Sequence, residues 1–410
     1  MSEPRTATPW IPPQPLVFAQ ASLLVSCGLM IAAGAKREFG ASPIGFAWIH
    51  AVVLGWMSST ALAFLIHVLP TFTDTPLRLE RVARFAPWLL QIGVVLIVVG
   101  FLVWKPSIVA AGGALVVVGV ACALASFFAT AAAALRSSDR TTRAVARAFL
   151  GVFFFLALTV GIGFALSIGL DTHATFVPRW ANVHAALGIF GWLGLLVAGV
   201  SMRTYNQLLG NSAGRIAHIA TSSLVLVGIA LFWAGTLTQN TVLLEAGGAF
   251  VAAGAAVNFI ATSRSLLRAD AVHPLPVEFV AASDLWLLVA IAYAVAGLLG
   301  HPYPAALLVA ILLGWIGQNL NAHMMHVGVR LIATLVIADD DETPPVELLD
   351  RRLGLASLLL WQAAIACGLA ALTIGSGALL QAAGALALFG ALALIANLRF
   401  AARSASLRSA

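Results

Sequence analysis

Long apolar runs constrain this chain more than any other feature of its sequence. Runs of about 20 residues recur from one end to the other, and a helix of that length crosses the hydrocarbon core of a bilayer. In lipid only helices and closed barrels pair all their backbone polar groups, and barrel strands would be shorter and alternating. The sequence therefore predicts an all-α polytopic membrane protein. Its charge agrees, since only 9% of residues are charged, against about a quarter in a soluble domain.

The apolar runs predict twelve transmembrane spans in a single membrane domain. The spans are residues 16–36, 43–69, 86–104, 107–135, 147–170, 179–203, 215–236, 242–263, 279–299, 304–329, 354–374 and 377–398. Residues 1–15 form a polar, Pro-rich tail, which is not a cleavable signal peptide because no basic stretch leads into a short apolar core. The acidic stretch 338–352 is expected to be a solvated cytoplasmic loop.

The distribution of basic residues predicts the orientation. With both termini in the cytoplasm, all but four of the 22 Lys and Arg residues fall in cytoplasmic segments. The four on the outside are Lys36, Arg37, Lys105 and Arg179. Positive charge is enriched in cytoplasmic loops, so the pattern favours twelve spans with N-in/C-in topology in a bacterial inner membrane. The same loops account for the net charge of +6, and no nucleic-acid partner is indicated.

A short element recurs along the chain. Span 2 reads "HAVVLGW" from His50 to Trp56, span 6 reads "HAALGIFGW" from His184 to Trp192, and span 10 carries "LLGW" ending at Trp315. Self-similarity at a fixed period indicates repeated units. We expect a pseudo-threefold arrangement of four-helix units, approximately 16–135, 147–263 and 279–398.

Six of the nine histidines lie inside the predicted spans or at their ends. They are His50, His67, His184, His218, His323 and His326. Ionisable residues in a membrane are costly and usually functional, and neutral imidazole is a common ligand of metals and haem iron. We therefore interpret all six as candidate metal ligands. The alternative for each histidine alone is a satisfied hydrogen bond between helices.

The depth of these histidines divides them into two groups. His50 and His184 share an outer depth, whereas His67, His218, His323 and His326 lie towards the inner side. His50 and His67 are separated by about 25 Å along one helix, so they belong to different sites.

His323 and His326 share one helix face because they are three residues apart. The amides of Gln318, Asn319 and Asn321 are expected to orient them through hydrogen bonds.

Haem is preferred to zinc or copper alone as the ligand of these histidines. No acidic or thiolate side chains accompany them, and Gly55, Gly188 and Gly191 are expected to leave flat space for a porphyrin. The three cysteines form no CxxC or CxxCH motif, so disulfides, thiolate zinc and covalent c-type haem are not indicated. Asp284 is the clearest buried acid, and an interhelical hydrogen bond is its simplest interpretation.

The chain resembles the catalytic subunit of haem-copper oxidases and the related NnrS-type membrane proteins. The resemblance rests on twelve spans, span 2 "WIHAVVLGWMSSTALAFLIHVLPTFT", span 6 "VHAALGIFGWLGLLVAGVSM" and, in span 7, "GRIAHIATSS" and "FWAG". It implies that His50 is a haem ligand and that His184 is an outer copper ligand. In the haem hypothesis His184 is an outer metal or haem ligand, and His323 or His326 is the partner ligand of that haem or the ligand of a second haem. His67 and His218 then line an inner site. The resemblance implies one or two b-type haems.

The departures from that family weaken the copper site. Thr236 and Leu237 stand where the oxidases have a His-His pair, and no Tyr lies near His184. Copper therefore stays open but is argued against, and a complete terminal oxidase is not expected. Oxidoreductase activity stays open.

Three functions remain as hypotheses. The first is a haem protein that binds nitric oxide or oxygen, responds to nitrosative stress or passes electrons to a redox partner subunit. The second is a secondary transporter of protons or substrate that uses the same histidines and Asp284. The third is an assembly scaffold that has lost its cofactor.

Overall fold

The computed structural model describes residues 13–211, 215–269, 274–336 and 345–408. Within these ranges twelve helices are long and apolar enough to cross a membrane, as the sequence predicts. The helices are α1 Pro13–Lys36, α2 Pro43–Thr73, α3 Glu80–Leu102, α4 Pro106–Ala134, α5 Arg140–Asp171, α6 177–209, α7 Arg215–Thr238, α8 Thr241–Leu266, α9 Pro274–Leu298, α10 304–336, α11 Arg351–Ile374 and α12 Gly377–Arg408. Most of the N-terminal tail and residues 338–344 of the acidic loop lie outside the described residues.

Several helices extend beyond their predicted apolar spans. Helix α5 begins at Arg140 and α12 ends at Arg408, because hydropathy detects only the part that lies in lipid. Side chains at the first turns explain where some helices begin. Asp139 accepts a 2.6 Å hydrogen bond from the backbone N–H of Thr142, and Asp350 caps α11 in the same way.

Three hairpins of consecutive helices, α3–α4, α7–α8 and α11–α12, pack through small residues. A Cβ built on Gly93 would lie 2.7 Å from the carbonyl oxygen of Gly112. One built on Gly228 would lie 2.7 Å from that of Gly247. The two glycines of each pair are equally far apart in the sequence. Close backbone approach through small residues is how helices associate tightly in lipid.

A second contact recurs in all three hairpins. In each, a glycine of the later helix lies against one residue of the earlier helix, at 2.7, 3.0 and 3.1 Å from a built Cβ. The pairs are Gly119 with Leu90, Gly254 with Val225, and Gly390 with Trp361. The three pairs follow one another along the chain at nearly equal intervals. This residue-for-residue correspondence supports the threefold repeat.

The Gly-Trp element adopts a π-helical conformation in each of α2, α6 and α10. The π segments are Ala51–Ser58, Leu187–Gly194 and Ala310–Ile316. Helix α10 contains another at Met324–Gly328. Such segments are rare and concentrate at functional sites. Their recurrence on the element that the sequence repeats is a second structural argument for three related units.

The tryptophans of these elements interlock at the centre of the bundle; we call Trp56, Trp192 and Trp315 the tryptophan ring. Each contacts the residue two positions after the tryptophan of the neighbouring helix. Trp192 Nε1 donates a 3.0 Å hydrogen bond to Ser58 Oγ. A Cβ on Gly194 would lie 3.3 Å from the Trp315 ring, and one on Gly317 would lie 3.0 Å from the Trp56 ring. Helices α2, α6 and α10 are thereby joined cyclically.

If the hairpins are equivalent, adding one methyl group at matched positions will lower the free energy of unfolding by the same amount. We expect Gly93→Ala and Gly228→Ala each to destabilise the protein by roughly 1–3 kcal/mol, since the added carbon meets backbone that cannot move aside. Unfolding in detergent micelles measures this. Gly151→Ala is the control, because no atom lies within 4 Å of a Cβ built there. Equal stability of all three variants would contradict the packing.

Candidate functional site

The structure brings together His50 and His184, two of the six predicted ligands. Each is the eighth residue of its helix, and each lies one to three residues before a π segment. Their ring centroids are 6.5 Å apart and their planes differ by 15°. The shared depth inferred from the sequence is therefore matched by proximity of the two rings.

Backbone carbonyls fix the tautomer of both rings. His50 Nδ1 lies 2.7 Å from the carbonyl oxygen of Phe46, one turn earlier in α2. His184 Nδ1 lies 3.0 Å from the carbonyl oxygen of Thr159 in α5. A carbonyl oxygen can only accept, so Nδ1 carries the proton in each neutral ring and Nε2 presents its lone pair. Metal-ligating histidines are oriented by this kind of bond.

Both imidazoles line a cavity of about 260 Å³ enclosed mainly by α2, α3, α4, α5 and α6. Its walls are mostly apolar and include Phe46, Phe101 and Phe164. Gly163 of α5 makes room for one imidazole, since a Cβ built there would lie 2.7 Å from His184 Cε1. No pattern in the sequence selects Gly163 or Thr159, because their roles depend on α5 lying against α6.

The expectation of flat space beside three glycines is correct only in part. Gly188 lines the cavity. Gly55 instead packs against Ser22 of α1, and Gly191 packs against Phe155 of α5. These two glycines allow other helices to approach, so they leave no space for a porphyrin.

Aromatic rings connect His50 with the end of the bundle at which α2 and α6 begin. The Phe101 ring is 5.0 Å from His50, and the Trp104 ring is 6.4 Å from Phe101. Trp104 lies in the turn between α3 and α4 and is 50% exposed. Its neighbour Lys105 is also exposed. One aromatic residue thus separates the imidazole of His50 from a half-exposed indole.

His323 and His326 lie elsewhere and bond to α6. His323 Nδ1 is 2.7 Å from the carbonyl oxygen of Asn319, and its Nε2 is 2.9 Å from Thr204 Oγ1. His326 Nε2 is 3.3 Å from Gln207 Oε1. Both rings are buried and face α6, as the three-residue spacing predicts. For this pair the simpler interpretation, an interhelical hydrogen bond, describes what the structure contains.

The amide side chains expected to orient this pair do something else. Asn319 reaches His323 through its backbone carbonyl, while its side chain bonds to Tyr205 and Ser283. Gln318 accepts a 3.5 Å hydrogen bond from Gln362 of α11. Asn319 thus bonds to α6 and α9 and Gln318 to α11, and neither side chain bonds to an imidazole.

A smaller cavity separates His323 from the pair of His50 and His184. It has a volume of about 70 Å³, lies between α2, α6 and α10, and is lined by Met57, Leu193, Ile316 and His323. Neither His50 nor His184 borders it. The predicted haem ligation between His50 and His323 or His326 is therefore not what this geometry favours.

The space between α2 and α11 is filled by tryptophan. The rings of Trp56 and Trp361 stack with centroids 5.9 Å apart and planes 12° apart. Both side chains are fully buried. This packing leaves no room for a porphyrin at that position.

The remaining two histidines stand apart from the others. His67 is half-buried in α2, and His218 is buried in the first turn of α7. Across the described ranges, no group of three or more His, Cys, Asp or Glu residues is placed to hold a metal ion. Three-histidine copper ligation is therefore not assembled in that part of the chain.

Asp284 forms the interhelical hydrogen bond expected of it. Ser263 of α8 donates to its carboxylate. Beside it, Tyr205 donates a 2.9 Å hydrogen bond to Asn319 Oδ1, and Ser283 donates a 2.9 Å hydrogen bond to the carbonyl oxygen of Trp315. These bonds join α6, α8, α9 and α10 through a buried polar network.

Comparison with known proteins finds no family model and no curated protein that matches this chain. The argument for function therefore depends on the geometry of the sites.

Proposed function

We propose that the protein binds one b-type haem between α2 and α6, and that His50 and His184 would hold it. With a metal–imidazole bond of about 2 Å and roughly 1 Å from nitrogen to ring centre, two imidazoles that share one metal ion can have centroids about 6 Å apart. The observed separation is 6.5 Å. This distance is the observation that carries the proposal.

The chemistry of the donors agrees with iron as the ligand. Both Nε2 atoms present lone pairs, and no hydrogen-bond partner for either is found in the part of the chain that the structure describes. The cavity between them has apolar walls from five helices. An apolar macrocycle is suited to such walls, and among the lining residues only the two imidazoles coordinate iron strongly.

Electron transfer is the function that two histidine ligands favour. The haem would supply one-electron chemistry, and with both His50 and His184 engaged the site would offer no ligand position to nitric oxide or oxygen. The chain's own contribution is to hold both rings by backbone carbonyls and to exclude water with Phe46 and Phe101. The half-exposed Trp104 would offer a redox partner a surface close to His50.

We also propose that the protein resides in a bacterial cytoplasmic membrane with both termini inside. Basic residues support this orientation, because all but four of the 22 lie in segments that it places in the cytoplasm. The cavity of His50 and His184 would then open towards the outer face.

A secondary transporter is the second candidate, and the buried polar network favours it. Asp284, Tyr205 and Asn319 place a carboxylate, a phenol and an amide together inside the membrane. Polar clusters of this kind can hold a substrate or protons. Uptake that depends on Asp284 in protein lacking any haem absorbance would select this function.

Removal of either histidine ligand is expected to abolish the low-spin haem. Purified protein reconstituted with haem should show a Soret band and the electron paramagnetic resonance of low-spin iron. His50→Ala and His184→Ala should each lose the low-spin species, because each variant lacks one of the two histidines that would hold the iron. His67→Ala is the matched control in α2 and should keep it, as should His323→Ala. No Soret band in the wild type would refute the proposal.

Gly163 offers a subtler test of the same site. Gly163→Ala places a methyl group 2.7 Å from the His184 ring, which displaces the imidazole from its bond to Thr159. We expect haem affinity to fall about 10–100-fold, the usual effect of disturbing a ligand's supporting contacts. Gly161→Ala is the control on the same helix, because nothing lies within 4 Å of a Cβ there. Identical haem titrations of the two variants would count against His184 as a ligand.

Orientation can be measured by labelling single cysteines. The native Cys27, Cys122 and Cys367 are first replaced. An impermeant maleimide should then leave Ser137→Cys unlabelled in intact cells and label it only after permeabilisation. Ser376→Cys, in the turn between α11 and α12, should react in intact cells with an impermeant maleimide. The reverse pattern would show that the positive-inside argument is wrong for this chain.

A further inference from the structure

A second cavity lies where α6 begins, α7 ends and α8 begins. Its volume is about 310 Å³, which is within the range of small-molecule sites. Four of its lining residues carry polar side chains. They are Arg179, Asn182, Thr236 and Gln239. The cavity lined by His50 and His184, called the haem cavity below, is mostly apolar instead.

This cavity occupies the position that the repeat assigns to the mouth of the haem cavity. Phe232, Thr236 and Leu244 line it. Each lies a fixed number of residues after one residue of the haem cavity. That number is the separation in sequence between Gly93 and Gly228. The corresponding residues of the haem cavity are, in the same order, Ile97, Phe101 and Val109. The same place in the second unit is thus built with different chemistry.

Two substitutions between the units change the character of the site. Asn182 corresponds to Phe46 at almost the same sequence interval, and Thr236 stands where the first unit has Phe101. An aromatic wall is thereby replaced with an amide and a hydroxyl. The Thr236 hydroxyl donates a 2.8 Å hydrogen bond to the carbonyl oxygen of Phe232. The Asn182 amide and the N–H groups of Arg179 that do not bond to Gln239 are the side-chain donors that remain for a ligand.

The charge of the cavity is positive and uncompensated. Arg179 lines it, and its guanidinium donates to the side-chain oxygen of Gln239. No carboxylate is among the lining residues, and within the described ranges Arg179 makes no ion pair. Glu245 of α8 is exposed and adjoins Leu244 in the sequence but does not line the cavity. A guanidinium with the Asn182 amide in the same cavity suits an oxyanion.

We infer that this cavity binds an anionic phosphate group. Arginine binds phosphate through two parallel hydrogen bonds, and the Asn182 amide supplies another donor. Leu237 and Val242 beside the cavity are 56% and 68% exposed, so an acyl chain could continue along α7 and α8. The phosphate can therefore come from an anionic phospholipid or from a soluble organic phosphate.

This inference is independent of the haem. Val177, Ala181 and His184 line the haem cavity, whereas Arg179 and Asn182 project from the other side of α6. Changes in the second cavity should leave the absorption spectrum of a bound haem unaltered. A negative result for the phosphate site therefore does not contradict the haem proposal, and a negative result for haem does not contradict the phosphate site.

The test uses the full chain in nanodiscs and in uncharged detergent. Native mass spectrometry of protein from nanodiscs containing phosphatidylglycerol measures retained lipid. Calorimetric titration of detergent-solubilised protein with glycerol 3-phosphate measures the soluble source. We expect Arg179→Gln to weaken whichever binding occurs at least tenfold. Lys36→Gln, which removes one positive charge from the end of α1, should bind as the wild type does.

Asn182→Phe is the second variant, and it copies the residue that the first unit has at this place. It should also abolish binding while leaving the charge unchanged. Retention of phosphatidylglycerol alone identifies a lipid site, and binding of glycerol 3-phosphate alone identifies a soluble ligand. Absence of both, or equal binding by Arg179→Gln and Lys36→Gln, would overturn the inference.

Discussion

The contacts of the tryptophan ring are the constraint on which the rest of the structure depends. Each tryptophan of this ring, Trp56, Trp192 or Trp315, contacts a serine or glycine of the next central helix. These contacts fix the spacing of α2, α6 and α10. In lipid there is no hydrophobic drive to bring helices together, and close packing with a few hydrogen bonds must do so. The remaining nine helices then pack around this centre, with glycines at their closest approaches. The cavities lie between the central helices and these outer hairpins.

The π segments explain how the central helices serve both packing and chemistry. Each inserts extra residues into a helical turn and so changes which face the following side chains occupy. The tryptophans lie inside these segments, and the paired histidines lie just before two of them. A regular helix has a single phase along its whole length. Because of this change, the imidazoles of His50 and His184 face the cavity that they line, whereas the tryptophans face the bundle centre.

The two histidine environments differ through what holds each ring. His50 and His184 are fixed by one backbone carbonyl each, which leaves both Nε2 atoms facing a cavity. His323 is bonded at both nitrogens, to a carbonyl and to Thr204. Ligation by His323 would break a bond inside lipid, where an unpaired polar group is costly. The same residue type thus keeps one ring nitrogen towards a cavity in one place and is bonded at both nitrogens in another.

The sequence by itself determined the helical class, the twelve spans and the shared depth of His50 and His184, because hydropathy and residue spacing report position along the membrane normal. It could not determine which helices adjoin. That depends on contacts such as Gly163 with His184 and Trp56 with Trp361, which join residues distant in sequence. These contacts paired His50 with His184, turned His323 towards Thr204 and filled the space at α11. Depth follows from one helix at a time, whereas a site requires several helices to meet, and only tertiary packing decides that.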